Sequence, residues 1–310
     1  MRHQGFDYLL SQPPRAAECA SVSDWWPRQV ALCAKLEDPI ESAIAGGYAA
    51  DRLAWAFCSG YQAALRALVP QLPGDRLASL CVTEAGGNHP RAIQTALQPQ
   101  PGKPGRFVLD GHKRWTTLGP DSALLLVAAR AGDAPEAARV ALKLVMVRQG
   151  APGVSLREMS EIRFVPEVAH AEVRFEHVAV AAEDVLEGDG YARYVKPFRT
   201  IEDLHVHAAM LAYLLRESRR LAWQRGWTAR AFAALHALSA LAQLDASLPA
   251  THIALAGALE IGAGLVREAD ILWEATPADA ATARWRRDRA LLGVAETARS
   301  KRLERALEQI

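Results

Sequence analysis

Cysteine is scarce: four residues, Cys19, Cys33, Cys58 and Cys81, stand far apart in a chain of 310 and form no metal-type pair. That spacing argues against a disulfide framework and fits reduced thiols in a cytosolic protein. Charge of one sign is missing too. Lys and Arg number 36 against 35 Asp and Glu, a net charge of +1, so no global field draws the chain to nucleic acid or anionic lipid. No apolar run approaches the roughly 20 residues that cross a bilayer. The start, Met1-Arg2-His3-Gln4-Gly5, lacks a signal peptide's apolar segment. The expectation is a cytoplasmic protein with neither a membrane span nor a nucleic-acid partner. Also absent are a Gly-x-Gly-x-x-Gly opening a helix and a phosphate loop with Gly-Lys-Ser/Thr, which argues against a Rossmann domain. There is no internal repeat and no low-complexity segment.

What is present is ordinary in amount and informative in order. Half the residues are hydrophobic and 23% charged, and the length suggests about two domains. Residues 1–78 read as helices. Ser23-Asp24 before Trp25-Trp26-Pro27 marks a start, with Asp24 as the cap. Leu53, Ala54, Phe57, Tyr61, Leu65 and Leu68 form an apolar helical face, and Trp55 and Tyr61 on such a helix read as core. Residues 79–190 change texture. Short apolar runs (107–109, 123–127, 140–147, 154–156 and 171–180) alternate with turns such as Gly132-Asp133-Ala134-Pro135-Glu136. Brief connections between close strands imply a mostly antiparallel sheet. Residues 191–310 return to helix. Thr200 is placed to cap a first helix, and segments near 228–244 (ended near Pro249) and 251–273 follow, the latter carrying Gly257, Gly262 and Gly264. After a break at Pro277, residues 279–310 read as one long basic helix, broken at most by Gly293. Four helices with short links suggest a bundle.

Candidate chemistry centres on Cys81 to Gly119. The run Cys81-Val82-Thr83 breaks at Ala85-Gly86-Gly87-Asn88, a tight turn whose amides can face a ligand closely. Arg106 to Asp110 has strand character and turns at Gly111. Trp115 follows, flanked by Arg114, Thr116 and Thr117, which suits a flat ring with polar edges. His205 and His207 are two apart on a helix and face different directions, so a shared metal ion is not expected. Arg284, Arg286, Arg287 and Arg289 read as the solvated face of a helix.

Val-Thr-Glu-x-Gly at 82–86 and Gly-x-Lys-x-Trp-x-Thr-x-Gly at 111–119 resemble the flavin-binding signature of the acyl-CoA dehydrogenase family. The likeness continues through Pro152-Gly153-Val154-Ser155, Ala171-Glu172-Val173-Arg174-Phe175 and Val185 to Tyr191. It covers the middle third closely and the flanking helical regions loosely. The resemblance implies an α+β fold: a helical N-terminal domain, a central antiparallel β-domain and a C-terminal helical bundle. It implies FAD, with Thr83 on the flavin pyrimidine edge, Trp115 against the ring and Thr117 near N5. It implies α,β-dehydrogenation of an acyl-CoA or related thioester, transfer to an electron-accepting flavoprotein, and a homodimer or higher homo-oligomer.

This chain departs from the pattern at the turn, where Gly86-Gly87-Asn88-His89-Pro90 is one residue short and lacks the family's serine, so that Asn88 is the substitute donor. The adenosine-side motifs, Phe-Gly…Gln and Gln-x-x-Gly-Gly-x-Gly, are also missing. Their absence keeps open a non-catalytic binding or scaffold protein, and the fold keeps open a flavin monooxygenase or oxidase. The family's catalytic base falls at one of two positions. Glu202 matches the first, at a helix start between Ile201 and Leu204. Glu296, after Arg287-Asp288, matches the second, although a helical Glu296 three residues before Arg299 also suits a surface ion pair. Glu202 is favoured.

Overall fold

The computed structural model describes residues 4–132, 141–160, 162–276 and 279–310. Asp133 to Glu136 of the expected turn, Val140 and Pro277 lie outside them. The chain divides into two compact units. One takes Met1–Gly74, Ile162–Glu167 and Arg199–Ile310, and the other takes Asp75–Glu161 and Val168–Phe198.

Four helices open the chain: α1 (Gln4–Ser11), α2 (Val22–Cys33), α3 (Pro39–Ala49) and α4 (Leu53–Leu68). The start of α2 is earlier than Ser23-Asp24 suggests. Ser21 is its N-cap and accepts from the Asp24 N–H, while the Asp24 carboxylate accepts from the Ser21 N–H at 3.1 Å. This reciprocal cap satisfies two end donors, so Asp24 works from inside the first turn. Asp38 caps α3, and Pro39 holds the first helical position, where an N–H has no intrahelical partner. α3 is buried from Ile40 to Tyr48 and packs along α4. Trp55 and Tyr61 are core, as expected. Trp55 is fully buried, stacks on Trp25 at 5.5 Å and donates its indole N–H to the Cys19 carbonyl at 2.9 Å.

Seven strands follow among the described residues: β1 (Ala78–Cys81), β2 (Ala96–Pro99), β3 (Arg106–Thr117), β4 (Leu124–Ala131), β5 (Leu142–Arg148), β6 (Val154–Glu158) and β7 (His170–Ala181). They form one sheet in the order β1-β4-β2-β3-β7-β6, with β5 also paired to β4. β2–β3, β3–β7, β4–β5 and β6–β7 are antiparallel, whereas β1–β4 and β2–β4 are parallel. The sheet is therefore mostly antiparallel, as expected, with two parallel pairings to β4 that the sequence did not show. Alternation along a strand says which face is buried and nothing about the partner's direction. β2 escaped the sequence reading because four residues ending in proline are too short to show a period. Leu109, Leu125, Val127, Val145, Val173 and Phe175 anchor the sheet's core.

Beyond the sheet, one π-helical turn (Tyr191–Val195) runs into α5 (Lys196–Arg220). Thr200 is thus inside a helix that begins earlier, with Pro197 tolerated in its first turn. α6 (Arg225–Leu241) and α7 (Pro249–Glu274) follow. Pro249, expected at the end of one helix, opens the next. α7 is also, against expectation, long and apolar enough by length and composition to cross a membrane. It carries Glu260, Arg267, Glu268 and Asp270, and packs against α6.

The stretch from Asp279 onward is not one helix. Asp279 caps α8 (Ala280–Asp288), a 3-10 segment covers Arg289–Gly293, and Ala295 at φ +70° precedes α9 (Glu296–Leu307). Arg286, Arg287 and Arg289 are exposed, as expected of a solvated face, and each also makes an ion pair: Arg286 with Glu274 at 2.9 Å, Arg289 with Asp270 at 3.0 Å, and Arg287 with Glu167 at 2.9 Å. Gly47 of α3 and Gly60 of α4 lie where a Cβ would meet the backbone of Ala209 and Val206 in α5. Bare glycines let these helices approach backbone to backbone.

Candidate functional site

After β1 the chain doubles back. Glu84 and Gly87 exchange both backbone hydrogen bonds at 2.9 Å, with Gly87 at φ +105°, a conformation open to glycine. The Glu84 carboxylate turns inward. It accepts from Lys113 Nζ at 2.7 Å, the Gln94 N–H at 2.7 Å, the Thr95 N–H at 3.1 Å and the Thr95 hydroxyl at 2.7 Å. Lys113 is fully buried and also donates to the Val82 carbonyl at 3.3 Å.

Burial alone would raise the Glu84 carboxyl, but Lys113 and the surrounding donors outweigh it and hold it below the usual carboxylate range. Burial drives the Lys113 ammonium down against the pull of Glu84. The two shifts oppose each other. Four donors on one carboxylate outweigh the burial of the ammonium and favour the ionised pair. This brace fastens the turn to β3, and the Arg114 N–H adds a second tie to the Thr83 carbonyl at 2.8 Å. Thr83 is thereby set beside the 114–117 segment. Neither Glu84 nor Lys113 was singled out from the sequence, although opposite charges inside the two halves of one signature were the available signal.

The β3–β7 register slips between Lys113 and Thr116. Trp115 takes up the slip at φ +58° and Leu118 follows at +57°. A bulky residue in that region carries a steric cost of about 1–3 kcal/mol. The indole is nevertheless 49% exposed, and its recorded ring contact is edge-on with His170 at 6.1 Å. Thr117 is half-buried, and its hydroxyl lies 3.3 Å from His170 Nε2. Asn88 is exposed just beyond the turn. An open indole face, two half-buried threonines and an exposed turn fit the isoalloxazine half of a flavin. The adenosine half has no matching motif.

Both glutamates belong to the other compact unit. Glu202 stands near the start of α5, and its carboxylate makes no side-chain hydrogen bond among the described residues. Its carboxyl is pushed up to about 7, first by burial and then by the Asp203 charge, with Arg199 and Arg299 pulling the other way. Asp203 accepts from Arg299 Nε at 2.9 Å and Arg302 Nη2 at 2.7 Å, which ties α9 to α5. The Glu296–Arg299 pair anticipated from spacing is not formed among the described residues, because Arg299 engages Asp203 instead. Glu296 is exposed at the first position of α9, beside a cavity of about 400 Å³ lined by Met210, Leu214, Leu238, Val266 and Leu303. His205 and His207 each bond the carbonyl four residues back, at 2.7 and 2.8 Å, and burial lowers both to about 4.

The family profile for the acyl-CoA dehydrogenase middle domain matches residues 79–178. Benzylmalonyl-CoA dehydrogenase of Aromatoleum aromaticum is 30% identical over 141 residues, which are 44% of this chain and 35% of that protein. The chain thus spans about a third of that relative's length. Butyryl-CoA dehydrogenase of Megasphaera elsdenii has a TM-score of 0.67 at 15% identity, covering 98% of this chain and 96% of that one. PigA, solved with FAD, has a TM-score of 0.69 at 13% identity, covering 93% of this chain and 90% of that one. The likeness to both structures is one of fold. The middle-domain profile falls on the strands that carry the braced turn and Trp115, and the likeness in fold extends on both sides of it, so residues 79–178 match the acyl-CoA dehydrogenase middle domain within an acyl-CoA dehydrogenase-like fold.

Proposed function

We propose that the protein is an FAD-dependent dehydrogenase that introduces an α,β double bond into an acyl-CoA or related acyl thioester. The observation that carries this reading is Trp115: a large apolar ring held out toward solvent on strained backbone, with the flavin-side threonines nearby in sequence or by the Arg114 tie. Thr83, Asn88, Trp115 and Thr117 would hold the ring system. FAD, when bound, supplies the acceptor for the β-hydrogen. Glu202 is the proposed base for the acidic α-proton. A carboxyl near 7 is half ionised at neutral pH and basic enough to take that proton. Substrate carbonyl polarisation and the electron-accepting flavoprotein belong to the same proposal, as does a cytoplasmic location, which suits cysteines that form no disulfide among the described residues.

A scaffold role without turnover is the second reading, favoured by the shortened turn and the missing adenosine-side motifs. A visible spectrum of concentrated protein separates the two. The enzyme reading expects a flavin band, present as purified or gained on adding FAD. A colourless protein that gains neither colour nor thermal stability from FAD overturns it. Anaerobic bleaching by a panel of acyl-CoAs then tests the base, with Glu202→Gln expected to abolish bleaching and Glu296→Gln to retain it. The opposite pattern reverses the assignment, and retention in both variants removes both glutamates.

A further inference from the structure

His170 stands at the start of β7, in register with Thr117 of β3. Its Nδ1 lies 3.0 Å from the Val168 carbonyl oxygen, a group that can only accept. Nδ1 therefore carries the hydrogen. Burial lowers the ring's pKa, so at neutral pH the imidazole is uncharged and Nε2 is a bare lone pair. The group recorded at that lone pair is the Thr117 hydroxyl, at 3.3 Å. A bare nitrogen needs a donor, so the hydroxyl points its hydrogen at His170 and keeps only lone pairs for whatever else it faces. The edge contact with Trp115 restrains the imidazole's orientation as well.

We propose that His170 is a positioning residue that makes the Thr117 hydroxyl an acceptor toward the flavin and so favours the reduced cofactor over the oxidised one. This rests on the reading above, in which Thr117 faces flavin N5. Oxidised flavin presents a bare nitrogen at N5, and the two-electron-reduced ring presents an N–H. An acceptor-only hydroxyl complements the second and opposes the first. Without His170 the hydroxyl is free to rotate and donate to the oxidised ring.

Nitrogen NMR of histidine-labelled, FAD-free protein tests the hydrogen bond directly. The expected signature for His170 is protonated Nδ1 and bare Nε2, and an Nε2–H tautomer overturns the proposal. The redox consequence is read from midpoint potentials of FAD-loaded wild type, His170→Phe, Thr117→Val and the double variant. His170→Phe keeps an aromatic ring and removes the acceptor. It should lower the reduced-over-oxidised preference about tenfold, the scale of one hydrogen bond, which is about 30 mV for a two-electron couple. In the Thr117→Val background the same change should move nothing. No shift, or an equal shift in both backgrounds, overturns the proposal. Should His170→Phe fail to fold, Thr117→Val alone is expected to lower the potential, and an unchanged or higher value overturns the proposal. Wild type that never binds FAD discards the flavin reading and the redox claim with it. The NMR result then still decides whether His170 holds Thr117, so the two failures are distinguishable.

Discussion

Lys113 brings an ammonium group into a place closed to solvent, and Glu84 is the reason it can remain there. Removing one partner of a buried pair strands the other charge, at a cost of about 3–5 kcal/mol. Lys113→Met should therefore lower the urea midpoint sharply and loosen the turn carrying Thr83. A loss under 1 kcal/mol, on the scale of about 3 expected here, would show that the pair is not ionised. The pH dependence has a defined sign. A carboxyl held below its unfolded value contributes stability that is complete above about pH 4.5 and fades as pH falls through the folded value. Wild type should thus lose more stability than Glu84→Gln on going from about pH 5 to about pH 3. Glu202 runs the other way. Its folded carboxyl titrates at about 7 against an ordinary 4.5, so the folded state is favoured at low pH and loses that advantage as pH rises through 7. Denaturation curves should show Glu202→Gln gaining on wild type between about pH 5 and pH 8, and substrate bleaching by wild type should rise through about pH 7.

At the scale of elements, the bulge in β3 gives Trp115 a setting quite unlike that of Trp55 on α4. Trp115 lies half-exposed on left-handed backbone, whereas Trp55 is sealed between α2 and α4. Trp55→Ala should cost about 3–5 kcal/mol through the cavity it leaves. Trp115→Gly relieves backbone strain of about 1–3 kcal/mol and gives up little packing. Its thermal midpoint should stay level or rise while FAD affinity falls. Thermal melts and FAD titrations of the two variants check this. A clear loss of stability in Trp115→Gly with unchanged FAD affinity would return Trp115 to a purely structural role.

On the scale of the whole molecule, Leu244, Leu248, Ile261 and Ile271 are exposed large apolar residues, the last two on α7. Such exposure around one helix marks a contact surface, and identical chains most simply close it as a twofold pair. A homodimer is the proposed state. Light scattering should give twice the chain mass of 33.7 kDa for wild type, and paired Ile261→Glu and Ile271→Glu substitutions should give the single mass. A wild-type monomer at micromolar concentration would rule the dimer out.

The order of helices, strands and helices was legible in the chain, because periodicity and turn residues act within a few positions of one another. So was the signature from Thr83 to Thr117, which is a local pattern. The sequence also marked Pro249 and the break near Gly293 as features, but not what they do, since a proline can close one helix or open the next. Pairing between distant segments had to come from the tertiary structure. Glu84 meets Lys113 from 29 positions away, Thr117 meets His170 from 53, and Arg299 reaches Asp203 from 96. Two of the three are set by strand register or by the turn laid beside β3, and the third by the packing of α9 near α5. Neither register nor helix packing leaves a mark in the adjacent residues. The pKa of Glu202 follows the same rule: Ile201 and Leu204 hinted at an apolar setting, but the burial that lifts its carboxyl to about 7 comes from packing around it.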